Sequence, residues 1–318
     1  MRAVNVFLLL FVLAIAVCPL GSGIFAEGDG KKIGLMWIGK SGMADTVARG
    51  FLERLKEIAS DVEVEVKMNL ADMEEGARVF HSFEQGKDGI VFLRSTGARF
   101  MGKNPPAVPS FFGGCTNPVV LGALKNIEAP EGKVTGVTYY LPHDLSFDAI
   151  QSLFPRVKKI GLLLEKGHPG AHIDQQGTRA VCGKRDIEYQ EAICATKQEL
   201  VLAVKKMRGK VDLMIIGNQA LIFDNARMIV TVAEDTPVVS YSKKAIEVAA
   251  LAGLVPSDFK LGRMLADSVV DVVVRGKKVK DVPVKTDPIP SLLINRRTME
   301  KMKLEFPPEI MKTAKTTQ

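Results

Sequence analysis

The run Lys158-Lys159-Ile160-Gly161-Leu162-Leu163-Leu164 has a near copy 127 residues earlier, Lys31-Lys32-Ile33-Gly34-Leu35-Met36-Trp37. Each copy is a basic pair and an apolar run too short for a helix, followed by a loop that contains glycine, Gly39 to Gly42 or Gly167 to Gly170. A chain that must bury such a run on both faces makes it a central strand of a parallel sheet and delivers the loop to the sheet's carboxyl edge. Two copies predict two α/β halves of similar build. A length of 318 residues, more than one core usually fills, agrees with a boundary near residue 140.

Beyond each copy the chain alternates helix and strand. In the first half, Val47, Phe51, Leu52, Leu55 and Ile58 have helical spacing over 44–59, and Val62-Glu63-Val64-Glu65-Val66 alternates as an edge strand would. A helix from Asp72, a strand at 89–93 and a fourth strand at 108–112 complete this half. Residues 113–138, rich in Gly and Pro, read as a connection between domains. The second half gives helices at 144–153, 197–207 and 222–233, and strands at 160–164, 187–191, 211–216, 237–239 and 249–255. A helix at 258–274, a strand at 292–294 and a helix from Thr298 close the chain. Parallel strands with crossover helices form open sheets that bind ligands at their carboxyl edges, so two facing sheets place the site in the cleft between the halves.

The first residues stand apart from this pattern. Arg2 precedes an unbroken apolar run from Val6 to Cys18, and Ile24-Phe25-Ala26 before Glu27 supplies small and tolerated residues for a cut. Residues 1–26 are therefore expected to be a cleaved secretory signal, the run being shorter than the roughly 20 residues of a bilayer span. A lipoprotein cut before Cys18 is disfavoured by Ala16-Val17, where small residues are expected. The net charge of +7 comes from scattered basic residues with only 6% aromatics, which excludes an interleaved nucleic-acid surface. The later cysteines, Cys115, Cys182 and Cys194, are odd in number and lack CxxC spacing, so buried thiols are expected rather than a zinc or redox site.

No phosphate-binding glycine motif, nucleophile elbow or HExxH helix is present. His168 and His172 share a loop region but lack a third metal ligand, Asp174 being the one carboxylate nearby in sequence. No cofactor is expected. The strand-end loops are more informative. They bring Lys40 and Ser41, then Arg94, Ser95 and Thr96, then Cys115, Thr116 and Asn117 from the first half. From the second half come Lys166 and His168, Asn218 and Gln219, and Tyr241, Ser242 and Lys243. These are small hydroxyls, amides and cations with carboxylates nearly absent, a set that favours anionic or neutral groups at helix starts.

Several runs carry a family resemblance: Asn117-Pro118-Val119, Gly132-Lys133-Val134-Thr135-Gly136-Val137-Thr138, and Phe154-Pro155-Arg156-Val157-Lys158-Lys159-Ile160-Gly161-Leu162-Leu163. So do Pro237-Val238-Val239, Leu261-Gly262-Arg263-Met264-Leu265-Ala266, Leu293-Ile294-Asn295 and Phe306-Pro307-Pro308. Over nearly all of the chain after residue 26, they resemble the ABC transporter substrate-binding proteins of the tryptophan- and tyrosine-binding type. The resemblance implies a type I periplasmic-binding fold of two Rossmann-like, flavodoxin-like domains joined by three crossings, near residues 140, 256 and 284. The implied lobes are 27–141 plus 257–283, and 142–256 plus 284–318. It further implies a monomer outside the cytoplasm that closes on a small solute and delivers it to a membrane permease, without catalysis. Where the family pattern has Asp before Pro-Val, Asp-Asn and Ser-Asp, this chain has Asn117, Gln219-Ala220 and Tyr241-Ser242. The expected solute is therefore neutral or anionic in preference to an aromatic amino acid. A ligand-sensing receptor of the same fold and an enzyme on a flavodoxin-like scaffold are the alternatives.

Overall fold

The computed structural model describes residues 30–317. The expected signal segment lies outside the described residues. From Lys31 onward the chain packs as one unit.

The first sheet is built from β1 (Lys32–Ile38), α1 (Gly42–Ile58), β2 (Glu63–Leu70), α2 (Met73–Gly86), β3 (Gly89–Leu93), α3 (Arg94–Lys103), β4 (Ser110–Cys115) and β5 (Val134–Thr138). Its strands are all parallel, in the order β2-β1-β3-β4-β5. The second half continues with α4 (His143–Leu153), β6 (Lys159–Glu165), α5 (Pro169–Lys184), β7 (Glu188–Cys194), α6 (Lys197–Met207), β8 (Leu213–Ile216), α7 (Ala220–Asp224), α8 (Ala226–Ala233), β9 (Val238–Ser240), α9 (Lys243–Val248) and β10 (Ala252–Val255). Here the parallel order is β7-β6-β8-β9. The repeated runs are β1 and β6, each interior to its sheet and buried along five consecutive residues.

The chain then returns to the first lobe as α10 (Asp258–Val269), continued by a π-helical turn over Val270–Val274. It ends in the second with β11 (Ser291–Asn295), α11 (Arg296–Lys301), α12 (Pro308–Thr313) and β12 (Lys315–Thr317). β11 pairs antiparallel with β10 and parallel with β12. The Leu251 N–H donates to Val238 O at 2.6 Å, which continues the second sheet into this group. Both sheets are covered on two faces, the first by α1 and α10 on one side and α2 and α3 on the other. In the second lobe α6 and α8 cover one face, and α4 and α5 the other. This double covering is why the strands read as unbroken apolar runs.

Two differences from the sequence-based expectation share one cause. The fourth strand runs on through Gly113, Gly114 and Cys115, and residues 134–138, expected in a connection, form a fifth strand. Glycine here marks close approach rather than a turn. A Cβ on Gly113 would meet Leu265 Cδ2 at 2.7 Å, and one on Gly136 would meet Phe112 O at 2.1 Å. The expected helix over 222–233 is divided at Asn225, a short helix α9 that was not expected precedes the strand expected over 249–255, and that strand is shortened to Ala252–Val255.

The crossing of α1 over α10 is the tightest helix contact that tethers the returning chain. A Cβ on Gly50 would lie 2.2 Å from Phe259 O, and one on Gly262 only 2.0 Å from Val47 O. Gly262→Val is expected to cost about 1–3 kcal/mol by overpacking against backbone. Gly183→Ala, in a helix with open space around it, should instead stabilise by about 0.5–1 kcal/mol. Urea midpoints of the two variants against wild type, at unchanged m, check both signs.

Candidate functional site

A cavity of about 360 Å³ opens between the carboxyl edges of the two sheets. That volume falls in the roughly 300–1,000 Å³ range of small-molecule sites. The first lobe contributes Ser95 and Arg99 from α3, Thr116 and Asn117 after β4, and Tyr139 after β5. Tyr140 lies on the crossing just beyond. The second lobe adds His143 from α4, His168 and Asp174 from the α5 region, Asn218 after β8, Phe223 from α7 and Tyr241 after β9.

Local geometry explains these placements. The Thr116 N–H donates to Ser95 Oγ at 3.2 Å, tying the end of β4 to the start of α3. Asn117 Oδ1 accepts from the N–H groups of Val119 and Val120 at 3.0 and 3.3 Å and so turns the chain. His168 caps α5, its Nδ1 accepting from the Gly170 N–H at 3.0 Å. Tyr241 and Thr178 share a hydroxyl hydrogen bond of 2.9 Å. The Tyr241 ring stands edge-on to His143, centroids 5.0 Å apart, and His143 Nδ1 lies 3.2 Å from the Tyr140 hydroxyl.

Of the residues proposed from sequence, Ser95, Thr116, Asn117, His168, Asn218 and Tyr241 line this cavity together. The others do not, each for a physical reason. Arg94 takes a left-handed backbone, φ 72°, and turns its guanidinium to the Ile38 carbonyl, latching β3 to β1. Ser41 caps α1 by accepting from the Ala44 N–H, and Lys40 beside it is exposed. Thr96 follows Ser95 on α3, its hydroxyl buried and without a hydrogen-bond partner among the described residues. Cys115 points into the core, where burial pushes its thiol pKa well up. Lys166 is exposed, and Lys243 pairs with Asp258 at 3.5 Å across the lobes. Ser242 is buried, its N–H given to Ser240 Oγ. Gln219 is fully buried behind the cavity wall, its Nε2 donating to Asp174 Oδ2 at 2.5 Å.

The expectation of a site nearly without carboxylates is corrected by Asp174, which α5 carries into the wall from well beyond the strand-end loop. Sequence reasoning also missed Tyr139, Tyr140, His143 and Phe223. One signal was present: two of the chain's four tyrosines are adjacent at the junction of the halves. Among the described residues no three His, Cys, Asp or Glu side chains are grouped to hold a metal ion. The three later cysteines are buried free thiols. The surfaces on offer are aromatic rings, small polar groups, one guanidinium and one carboxylate, which suits recognition of an amphipathic molecule.

The family model for ABC transporter substrate binding proteins matches residues 32–318. The chain belongs to this family, whose members are binding proteins for ABC transporters. A curated relative, the tyrosine-binding protein of Clostridioides difficile strain R20291, is 23% identical over 303 residues, covering 91% of this chain and 88% of the relative. Among solved structures, the ligand-free, open form of a substrate-binding protein with adhesive properties from Clostridium difficile superposes with a TM-score of 0.81 at 19% identity, covering 91% of this chain and 99% of that one. An ABC domain in complex with L-Trp from Streptococcus pneumoniae gives a TM-score of 0.68 at 21% identity, covering 91% and 100%. The fold is the two-lobed type I periplasmic-binding architecture. Among the described residues no helix is long and apolar enough to cross a membrane.

Burial raises the tyrosines of this lobe interface. Tyr139 and Tyr140 are each pushed up to about 12, and Tyr241 is raised well above its usual value, all chiefly by loss of solvation. Tyr189 is raised as well, by burial and then by its hydrogen bond to Glu191. A raised folded-state pKa contributes stability that is complete below the unfolded value near 10 and is lost as pH climbs through the folded one. Absorbance titration of the native protein should therefore show almost no tyrosinate at pH 10–11, whereas the denatured chain ionises there. Stability should fall between pH 10 and 12.

Proposed function

We propose that this chain is the extracytoplasmic solute-binding component of an ABC importer. The observation that carries the reading is one aromatic-lined cavity shared by the facing edges of two lobes in a chain of the substrate-binding family. A solute that touches Ser95, Arg99 and Thr116 on one side and His143, Asp174 and Phe223 on the other gains contacts in the closed form that the open form lacks, and so shifts the equilibrium toward closure. A membrane permease then reads the closed pair of lobes and takes the solute. The protein acts as a monomer after loss of residues 1–26, and the reading requires no catalysis.

The lobes in this reading are residues 27–141 with 257–283, and 142–256 with 284–318. The pairing of Lys285 with Val137 beside β5 supports a third crossing close to residue 284.

The preference for a neutral or anionic solute rested on Arg94, on the lysines of the strand-end loops and on missing carboxylates. Arg94 is engaged elsewhere and Asp174 lines the cavity. A solute bearing an aromatic ring is the better match to Tyr139, Tyr140, Phe223 and Tyr241; one relative is named a tyrosine-binding protein and one similar structure is a complex with L-Trp.

The test is a thermal-shift screen of residues 27–318 against amino acids, aromatic amines, aromatic acids, purines, sugars and organic acids, with chemical analysis of each hit after incubation. A true solute at one hundred times its Kd adds about 2.7 kcal/mol, several degrees in Tm, and is recovered unchanged. A hit that is consumed would replace the importer reading with an enzyme.

A further inference from the structure

The cavity wall in the second lobe contains a carboxylate that the protein satisfies on one oxygen only. Asp174 is 8% exposed. Its Oδ2 accepts from Gln219 Nε2 at 2.5 Å and, more weakly, from the Asn218 N–H at 3.4 Å. Its Oδ1 receives no hydrogen bond from the described residues, the nearest donor being His143 Nε2 at 3.7 Å. That distance exceeds a hydrogen bond, and the imidazole is already engaged at Nδ1 by Tyr140. A buried carboxylate is costly unless it is paired and hydrogen-bonded. The oxygen left over lies in the wall of the solute cavity.

The arrangement is built rather than incidental. Gln219 is fully buried and committed at both ends, its Oε1 accepting from the Glu165 N–H at 3.4 Å while Nε2 holds Asp174. Two glycines make the room. A Cβ on Gly217 would lie 2.3 Å from Gln219 Nε2 and 2.7 Å from Asp174 Oδ2, and one on Gly177 would lie 2.2 Å from His143 Nδ1. Beside the carboxylate stands the ring of His143, with the rings of Tyr140 and Tyr241 each in edge contact with it. Aromatic faces attract cations most strongly when water is excluded. A neutral hydroxyl would fill the open hydrogen bond but leave the charge uncompensated. A protonated nitrogen does both.

We propose that Asp174 is the specificity-determining residue of the cleft, taking a protonated amine of the solute on Oδ1, with Gln219 as the residue that positions it. The assignment rests on the reading of the cleft as a solute site, and it names the chemical class that site accepts. Arg99, on the opposite lobe and without an ion pair among the described residues, is then available to an acidic or polar group at the solute's other end.

The experiment is isothermal titration of matched probes that differ in the amino group: L-tyrosine against 3-(4-hydroxyphenyl)propanoate, L-tryptophan against indole-3-propanoate, and tyramine against 4-ethylphenol. Each is titrated into wild type, Asp174→Asn and Gln219→Leu, with circular dichroism and Tm confirming folding. Wild type should prefer the amine of at least one pair by about tenfold or more. Asp174→Asn should bring that ratio close to one while leaving the deaminated partner's affinity unchanged or improved, at a Tm no lower than wild type. Gln219→Leu should reduce the ratio partially, a change that loss of packing alone would not produce. The proposal is overturned if the deaminated partners bind wild type as tightly as the amines, if Asp174→Asn keeps the preference, or if the broad screen yields only solutes without a basic nitrogen. The last result would leave the importer reading intact, whereas silence from every solute in both experiments would remove the two together.

Discussion

The carboxylate of Asp287, fully buried, is the tie on which the two-lobed arrangement depends. It accepts from the Ser257 N–H at 2.9 Å and from the Ile289 N–H at 3.0 Å, and Lys260 Nζ lies 3.6 Å away. Two of the three chain crossings are thereby fastened to each other. The remaining one joins through the Thr286 hydroxyl, which donates to Tyr140 O at 3.0 Å. Crossings made of unpaired extended backbone would leave polar groups without partners. Joining them side by side satisfies those groups and gathers the connections between the lobes into one narrow strap.

Given that strap, parallel sheet geometry does the rest. Every strand of a parallel sheet releases its chain at the same edge, so each lobe offers a row of loops and helix starts toward the other. Two close backbone approaches, Gly136 against Phe112 and Gly262 against Val47, hold β5 beside β4 and α10 against α1. The cavity lies next to the strap because Tyr139 and Tyr140 belong to it. These two rings, which line the cavity, are thus part of the connection between the lobes.

The electrostatics of the cleft are set by where an unpaired charge can be tolerated. Most ion pairs lie on the surface, for instance Lys184 with Asp144 and Arg275 with Asp271, where they contribute little. Inside, Arg94 commits its guanidinium to the Ile38 carbonyl, while Asp174 keeps an oxygen unused by the protein. The inner wall therefore carries the carboxylate of Asp174 as well as the guanidinium of Arg99, in place of the wholly cationic set that the abundance of lysine and arginine near the strand ends implied.

How much of this was legible before folding depends on whether the signal is local. The α/β halves, the buried β1 and β6, and caps such as Asp72 on α2 were readable because strand period, apolar runs and capping are set by neighbours in sequence. Topology sends the strand-end loops toward the cavity, and Ser95, Thr116, Asn117 and Tyr241 of those loops line it, whereas Arg94, Cys115 and Gln219 of the same loops do not. Asp174, His143 and Phe223 were not readable, because each sits on a helix whose rotation about its axis is decided by packing. The inward turn of Asp174 and the outward commitment of Arg94 to a carbonyl 56 residues away are settled only when the lobes are assembled. Sequence by itself determined the two sheets and the edge at which a ligand meets them. Tertiary structure alone decided which charge faces that ligand, because a side chain's direction depends on neighbours that the chain brings together only on folding.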